Sequence, residues 1–525
     1  MTMSIVPREV ASRFDLGHSA VEGTQPRTPS LDHLSLDVLI VIAGFLLPDD
    51  IVSLRKTCQA LANATKTRAI WTTAVRQMCT RNMVFLASYD LDAMPLEMLE
   101  HTATAPARTM RLLRRHSAID SSQLPQLSPM TKQLLSLRLP GVSLPDDDHI
   151  QAIRLVPGGR FLLALSTLHF HIWDLGQNAY SALKPLPLYL KTFSEMLECS
   201  EDLELGDCKL MICEAEQHGK IIFAISGCRT ICVYEAELPP PVHQLPSVRR
   251  VARMECDFSS IVEALSERYL LLRTLTTTRS IVLWDYQQHT LAKPALRGID
   301  RAFLFKTSVL LTIENHVFVC SIPALIAVPV LSGQLVRYED LPETVDAPPT
   351  TAVTPTLEDE VCWSIRKPWY YRPGAPTEFA LFTEHDIFHL DTASIIAPGA
   401  PNSVPDHLPY TRARLPLTQD DDLLDCDLTS YISDGYSLIL HESGGAGDLT
   451  CVSYRVATQD TSTTTTVEMA LPARTVLDAS SPEVREWDFC PASGRLCILY
   501  PDPTLGDDLT RDLHVYDYLV PDRGL

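Results

Sequence analysis

The chain has 525 residues, of which 46% are hydrophobic and 21% charged, a globular balance that excludes wholesale disorder. Its 65 acidic and 44 basic side chains leave a net charge of −21, which excludes a general nucleic-acid binder and docking on anionic lipid. The charge divides unevenly: residues 1–133 carry 14 basic and 12 acidic side chains, so residues 134–525 carry 30 and 53.

Residues 1–30 mix Pro7, Arg8, Glu9, Arg13, Asp15, Pro26 and Pro29 and read as a flexible tail rather than a signal peptide. The longest strongly apolar run, Val38 to Leu47, is half the length of a membrane-spanning helix. The 14 cysteines contain no CxxC pair. Reduced, mostly buried thiols are therefore expected, in a cytoplasmic or nuclear protein.

Residues 31–80 carry helical spacing. Leu36, Leu39, Ile42, Ala43 and Leu46 recur at three and four residues, and Pro48 interrupts them. Asp49 suits an N-cap, and Ile51, Leu54, Cys58 and Leu61 give a second helix its stripe. Thr65 or Thr67 caps a third helix with Ile70, Trp71 and Val75. Three helices in about 45 residues bury little core alone. Yet Val38 to Ile42 is apolar on every face, as in a module folded against a partner or against the rest of the chain.

These residues resemble an F-box, the motif that docks on the Skp adaptor of cullin-RING ubiquitin ligases. Leu34 matches the opening leucine and Asp37 the acidic position. Leu39, Ile42 and Leu46 match the ladder, and Pro48, Asp49, Asp50, Ile51 and Leu54 the break and second helix. Cys58 matches the cysteine, and Trp71 falls at the tryptophan without a gap. Ser35 replaces the opening proline, and Leu61 stands where an aromatic is common. The resemblance implies adaptor contact through Leu34, Leu39, Ile42, Leu46, Pro48, Ile51, Leu54, Cys58 and Trp71.

Residues 81–133 read as a helical linker. Pro95 opens a helix, Pro106 breaks it, and a second short helix carries Met110, Leu112 and Leu113. Arg108, Arg111, Arg114 and Arg115 read as a solvated face balancing the acidic region beyond. Residues 117–133 read as a connector.

From residue 134 the period changes to two. An apolar strand, a turn and a second strand ending in a hydrophobic–aromatic–acidic tag recur, as in Ile172-Trp173-Asp174, Val233-Tyr234-Glu235, Leu283-Trp284-Asp285 and Val515-Tyr516-Asp517. With weaker copies, the anchors are Trp173, Tyr234, Trp284, Phe318, Phe388, Tyr454 and Tyr516. Repeats of this kind fit a β-propeller, in which blades bury their faces only by stacking in a closed ring. The region resembles a divergent WD-repeat propeller over 134–525. Seven blades are favoured, with six or eight open and a pair of β-sandwiches the alternative. A strand near 134–139 or 149–156 is expected to join the C-terminal unit.

No GxSxG, GxxxxGK[ST], HExxH or strand-borne GxGxxG occurs. His169 with His171, and His385 with His389, read as strand-surface residues. The acidic runs Glu195 to Asp207 and Asp420 to Asp425 read as solvated loops. The expected protein is thus α then all-β, non-enzymatic and without metal or cofactor. The resemblance implies a substrate receptor bridging a Skp-family adaptor, and through it a cullin-RING ligase, to an unknown target. A scaffold using the F-box without a cullin is the alternative.

Overall fold

The computed structural model describes residues 34–117, 125–136, 148–197, 209–214, 219–226, 230–239, 245–256, 260–274, 279–294, 296–305, 308–313, 316–322, 328–329, 335–341, 343–344, 352–353, 378–382, 386–391, 411–416, 429–433, 436–443, 448–454, 473–478, 486–500 and 512–521. The N-terminal tail lies outside these residues. So do residues 198–207 and 420–425 of the acidic runs and most of the Pro-rich stretch 342–375. Glu195 lies in the short helix Phe193–Leu197 and not in a loop.

Five helices open the described chain: α1 Leu36–Ala43, α2 Pro48–Arg55, α3 Gln59–Ala64, α4 Arg68–Arg81 and α5 Leu96–Arg115. The sequence pattern assigns three helices before residue 81, and four are present. Pro48 starts α2 instead of only ending α1, because its fixed φ suits a first turn whose N–H groups are unpaired anyway. Leu47 holds the N-cap position, so Asp49 sits in the first turn rather than at the cap. The expected second helix splits at Cys58, whose extended backbone (φ −156°, ψ 163°) begins α3. Thr57 hydroxyl donates to the Leu54 carbonyl at 2.8 Å and closes α2.

The linker departs further from expectation. Pro106 does not break a helix; it lies inside the 20-residue α5. An internal proline costs about 3 kcal/mol. Burial of Met98, Leu99, Ala103, Met110 and Leu113 along the same face offsets that cost, since each large side chain contributes roughly 1.5–3 kcal/mol. The expected solvated arginine face is partly engaged. Arg111 pairs with Asp49 at 3.3 Å, and Arg108 donates to the Val520 carbonyl at 3.2 Å.

The remaining described chain forms antiparallel sheets in sequence order. The first joins Ile150–Leu155, Phe161–Ser166, His169–Asp174 and Tyr189–Thr192. The second joins Lys209–Glu214, Lys220–Ser226, Thr230–Glu237 and Val248–Cys256, with Leu335–Val336 added in parallel at its edge. The third joins Ser260–Leu265, Tyr269–Thr274, Ile281–Asp285 and Thr290–Pro294, edged by Val328–Pro329 and Glu343–Thr344. The fourth joins Ile299–Phe305, Ser308–Ile313, His316–Ser321 and Ala352–Val353. The fifth has Glu378–Phe382, Asp386–Asp391 and Thr411–Pro416, and the sixth Thr429–Ser433, Tyr436–Ser443, Asp448–Tyr454 and Ala473–Asp478.

The last sheet takes Glu486–Cys490, Arg495–Leu499 and Asp512–Asp517 from the C-terminal end and Thr131–Ser136 from far upstream. Thr131 lies opposite Asp517, and Ser136 opposite Asp512. The joining strand thus begins at Thr131, inside the segment read as connector. Consecutive antiparallel sheets, six of the seven built on four strands among the described residues and the last completed by an upstream strand, are the plan of a β-propeller. The chain is therefore a helical part followed by a β-propeller.

A basic residue at the start of one strand clamps the acidic tag at the end of the next. Arg160 holds Asp174 with two hydrogen bonds of 3.0 and 3.2 Å. Arg268 reaches Asp285 at 2.6 Å and Lys220 reaches Glu235 at 2.9 Å. Arg495 grips Asp517 at 2.7 and 3.2 Å. Burial by itself would raise the Asp174 pKa, but the Arg160 hydrogen bonds and charge hold it below the ordinary carboxylate value.

The seam between last and first sheets is densely bonded. Arg154 pairs with Glu486 at 2.6 Å, and the Leu155 N–H donates to Asp488 at 2.7 Å. Arg495 adds donations to the carbonyls of Gly159 (2.6 Å) and Gly176 (2.9 Å). One continuous apolar cluster runs from Ile51, Trp71, Val75 and Leu99 through Ile153 and Trp173 to Cys497 and Val515, so helices and seam share a core.

Candidate partner-binding site

The helical part leaves several large apolar side chains exposed to solvent. α1 packs on α3 and α4 through Leu39 and Ala43, which are buried. The end of α1 is tied down by the Gly44 N–H, which donates to the Ile40 and Val41 carbonyls, and by Gln77, whose side-chain amide donates to the Gly44 carbonyl. This leaves Leu36, Val38, Val41, Phe45 and Leu47 exposed; Phe45 is 82% exposed and Val41 61%. Val38 and Val41 share one side of α1, with Phe45 and Leu47 in the turn after it; exposed apolar side chains of this size in one place are of the kind that marks interaction surfaces.

The sequence-predicted contact residues divide into two groups. Leu34, Ile42, Leu46, Pro48, Leu54 and Cys58 are half-buried. Leu39, Ile51 and Trp71 lie inside the module, with Ile51 and Trp71 at 0% exposure, so they shape the surface from beneath and do not form it. The Trp71 indole N–H donates to the Thr65 carbonyl at 2.8 Å, and the Arg55 guanidinium lies 5.5 Å from the indole centroid. Arg55 also grips Glu100 of α5 with two hydrogen bonds of 2.9 Å. Leu36, Val38, Val41, Phe45 and Leu47 were not among the expected contacts. A pattern apolar on every face does not tell which face the chain itself covers.

Of the histidines read as strand-surface residues, His171 is buried and His169 half-buried. His169 pairs through Nδ1 with Asp148 at 2.8 Å, and His171 lies 3.4 Å through Nε2 from the Ser166 hydroxyl, at 0% exposure. His171 stacks on Trp173 with ring centroids 6.2 Å apart. His385 lies outside the described residues. Among the described residues no group of three His, Cys, Asp or Glu is placed to hold a metal ion, and no helix is long and apolar enough to cross a membrane.

Burial lowers the His171 pKa from 6.5 to about 4, with the nearby Asp148 charge opposing the shift and His169 reinforcing it. The unfolded chain therefore takes up a proton at His171 that the folded chain refuses. Stability is full above pH 6.5 and falls as the pH drops towards 4, by up to roughly 3 kcal/mol. Denaturant midpoints measured between pH 7.5 and 4.5 check this. His171→Gln flattens the dependence, and an unchanged slope in that variant rejects the assignment.

The class is thus a helical module with an exposed apolar patch, built onto a β-propeller. No protein-family model and no curated protein sequence matches the chain. Solved structures similar to it include the WD40 domain of SCAP from fission yeast (9% identity, TM-score 0.34, covering 70% of this chain and 82% of that one). The β-propeller domain of Myceliophteria thermophila Cps50 (Swd1) is 8% identical, with TM-score 0.38, over 71% of this chain and 100% of that one. The N-terminal domain of Nup159 is 10% identical, with TM-score 0.32, over 75% of this chain and 97% of that one.

Proposed function

We propose that the chain is a substrate-receptor subunit of an SCF-type cullin-RING ubiquitin ligase. The helical module docks a Skp-family adaptor, and the propeller, its described sheets taken as seven blades, holds a target protein. The observation that carries this reading is the α1 patch, because it coincides with the segment that resembles an F-box. No covalent chemistry is assigned to the chain. Its effect is positional: it raises the effective concentration of a target lysine beside the charged conjugating enzyme.

Co-expression of the full chain with a Skp adaptor tests the reading. Wild type is captured, and Val41→Asp with Phe45→Asp lowers capture at least 100-fold. The variant keeps the wild-type melting temperature, since both side chains are exposed. Capture that survives the double substitution overturns the assignment. Adaptor capture without a cullin selects the scaffold alternative.

A further inference from the structure

The chain between the third and fourth strands of the fourth sheet does not stay with that sheet. Its described pieces return to the two sheets before it. Val328–Pro329 pairs with Leu291 and Thr290 at the edge of the third sheet. Leu335–Val336 pairs with Glu255 and Cys256 at the edge of the second, and Glu343–Thr344 with Lys293 and Pro294 on the third again. Both sheets have four strands without these pieces, so the returning segment is an addition to their edges.

Residues 335–341 lie along the seam between those two edges and divide by side. Val336 and Leu341 are buried and pack, with the half-buried Tyr338, on the cluster that holds Met254, Trp284 and Leu291. Leu335, Arg337, Glu339 and Asp340 are exposed. The Lys293 ammonium lies 4.3 Å from the centre of the Tyr338 ring, and the Tyr338 hydroxyl bonds the hydroxyl of the buried Ser280.

Short backbone pairing on an open sheet edge, with a few spaced side chains in pockets, is how an extended peptide is recognised by strand addition. Here the chain supplies the peptide itself. The hold is slight, because the burial of three side chains is set against the entropy of fixing seven backbone residues, a quantity of similar size. The covalent tether keeps the segment at a high local concentration beside the seam. A separate peptide of the same pattern meets the same contacts without the tether.

We infer that the seam between the second and third sheets is a peptide-binding site, with residues 335–341 as its resident occupant. Its ligand is an extended protein segment with the spacing of Val336, Tyr338 and Leu341: an aliphatic residue, an aromatic one two positions on, and a second aliphatic one three positions beyond that. The resident segment withholds the site and yields it to a better-fitting ligand. The apparent affinity of the free protein is therefore lowered by the fraction of molecules in which the seam is open. This deepens the receptor reading by giving the target segment a class, and rests on that reading only in calling the ligand a target.

A fluorescein-labelled peptide of residues 335–344 reports binding by anisotropy to the full-length protein without adaptor. Val336→Ser with Tyr338→Ser and Leu341→Ser releases the resident segment. That variant binds the peptide saturably and roughly tenfold more tightly than wild type does. A peptide carrying the same three serines does not bind, and the propeller's melting transition stays in place. No saturable binding to the variant, equal binding by both proteins, or equal binding of both peptides overturns the inference. So does loss of the melting transition in the variant, because the segment is then part of the ring's own core. Hydrogen exchange tests the wild type directly: amides of residues 336–341 exchange roughly 100-fold faster than those of Ile281–Asp285, and equal protection overturns the inference as well. Adaptor capture is scored separately. Its failure in wild type removes the receptor reading and leaves the peptide site standing, and failure of peptide binding does the reverse.

Discussion

Arg495→Ala lowers the stability of the propeller by roughly 3–5 kcal/mol, the range for removing one partner of a buried ion pair. Arg495 and Asp517 have side-chain exposures of 3% and 4%, so neither is compensated by water. Burial by itself would lower the Arg495 pKa, and the Asp517 charge and hydrogen bonds more than reverse that. Substitution strands the Asp517 carboxylate and also frees the carbonyls of Gly159 and Gly176, which lie in the turns beside the first sheet's strands. The residue therefore acts on two sheets at once, at the seam where the ring closes. Arg111→Ala is the control. Its pair with Asp49 is 52% and 39% exposed, and such surface pairs contribute about 0–1 kcal/mol. Denaturant midpoints separate the two variants, with Arg495→Lys between them because it keeps charge and loses the fork. Equal midpoints for Arg495→Ala and Arg111→Ala reject the special role of the seam.

Trp71→Ala has the second large effect, again roughly 3–5 kcal/mol, from the cavity left by a fully buried indole. The Thr65 carbonyl loses its donor, and Arg55 loses the ring it lies over. Adaptor capture falls with this variant too, but for a different reason from Val41→Asp with Phe45→Asp. The tryptophan variant loses capture together with helical circular dichroism, and the patch variant loses capture alone. Trp71→Phe fills most of the cavity and costs about 1 kcal/mol beyond the lost area, for the missing hydrogen bond. Loss of capture by Trp71→Ala with full helicity and an unchanged melt would place the indole at the interface after all.

Much of the architecture is written in local pattern. Each aromatic anchor from Trp173 to Tyr516 falls on a different sheet, and Trp173, Tyr234, Trp284, Phe318, Tyr454 and Tyr516 each lie on its third strand. Period-two alternation and an aromatic–acidic strand end are properties of a few adjacent residues, so they survive in the sequence. The clamps were legible in principle. Arg160 and Arg268 each precede an apolar strand that pairs with a strand ending in Asp174 or Asp285, a basic residue at a repeated place. What periodicity does not carry is which side of an amphipathic element the rest of the chain covers. Leu39 turned inward and Val41 outward because of α3 and α4. Pro106 continues α5 for the same reason: its local strain is readable in the sequence, and the packing that outweighs it is not. The contacts of residues 83–88 leave no local signature, since Ser88 meets Pro157 across 69 positions.

The strand Thr131–Ser136 is made early and pairs with Asp512–Asp517, so Thr131 waits 386 residues for Asp517. At translation rates of 5–20 residues per second, that interval is roughly 20–80 s. The α5 face bearing Met110 and Leu113 waits almost as long for Trp487 and Leu496. Through that time the nascent chain carries an unpaired strand edge and an uncovered helix face, the two features most prone to wrong association. Closure through Thr131–Ser136 therefore delays the full core of the α5 face until the strands of the last sheet have been made.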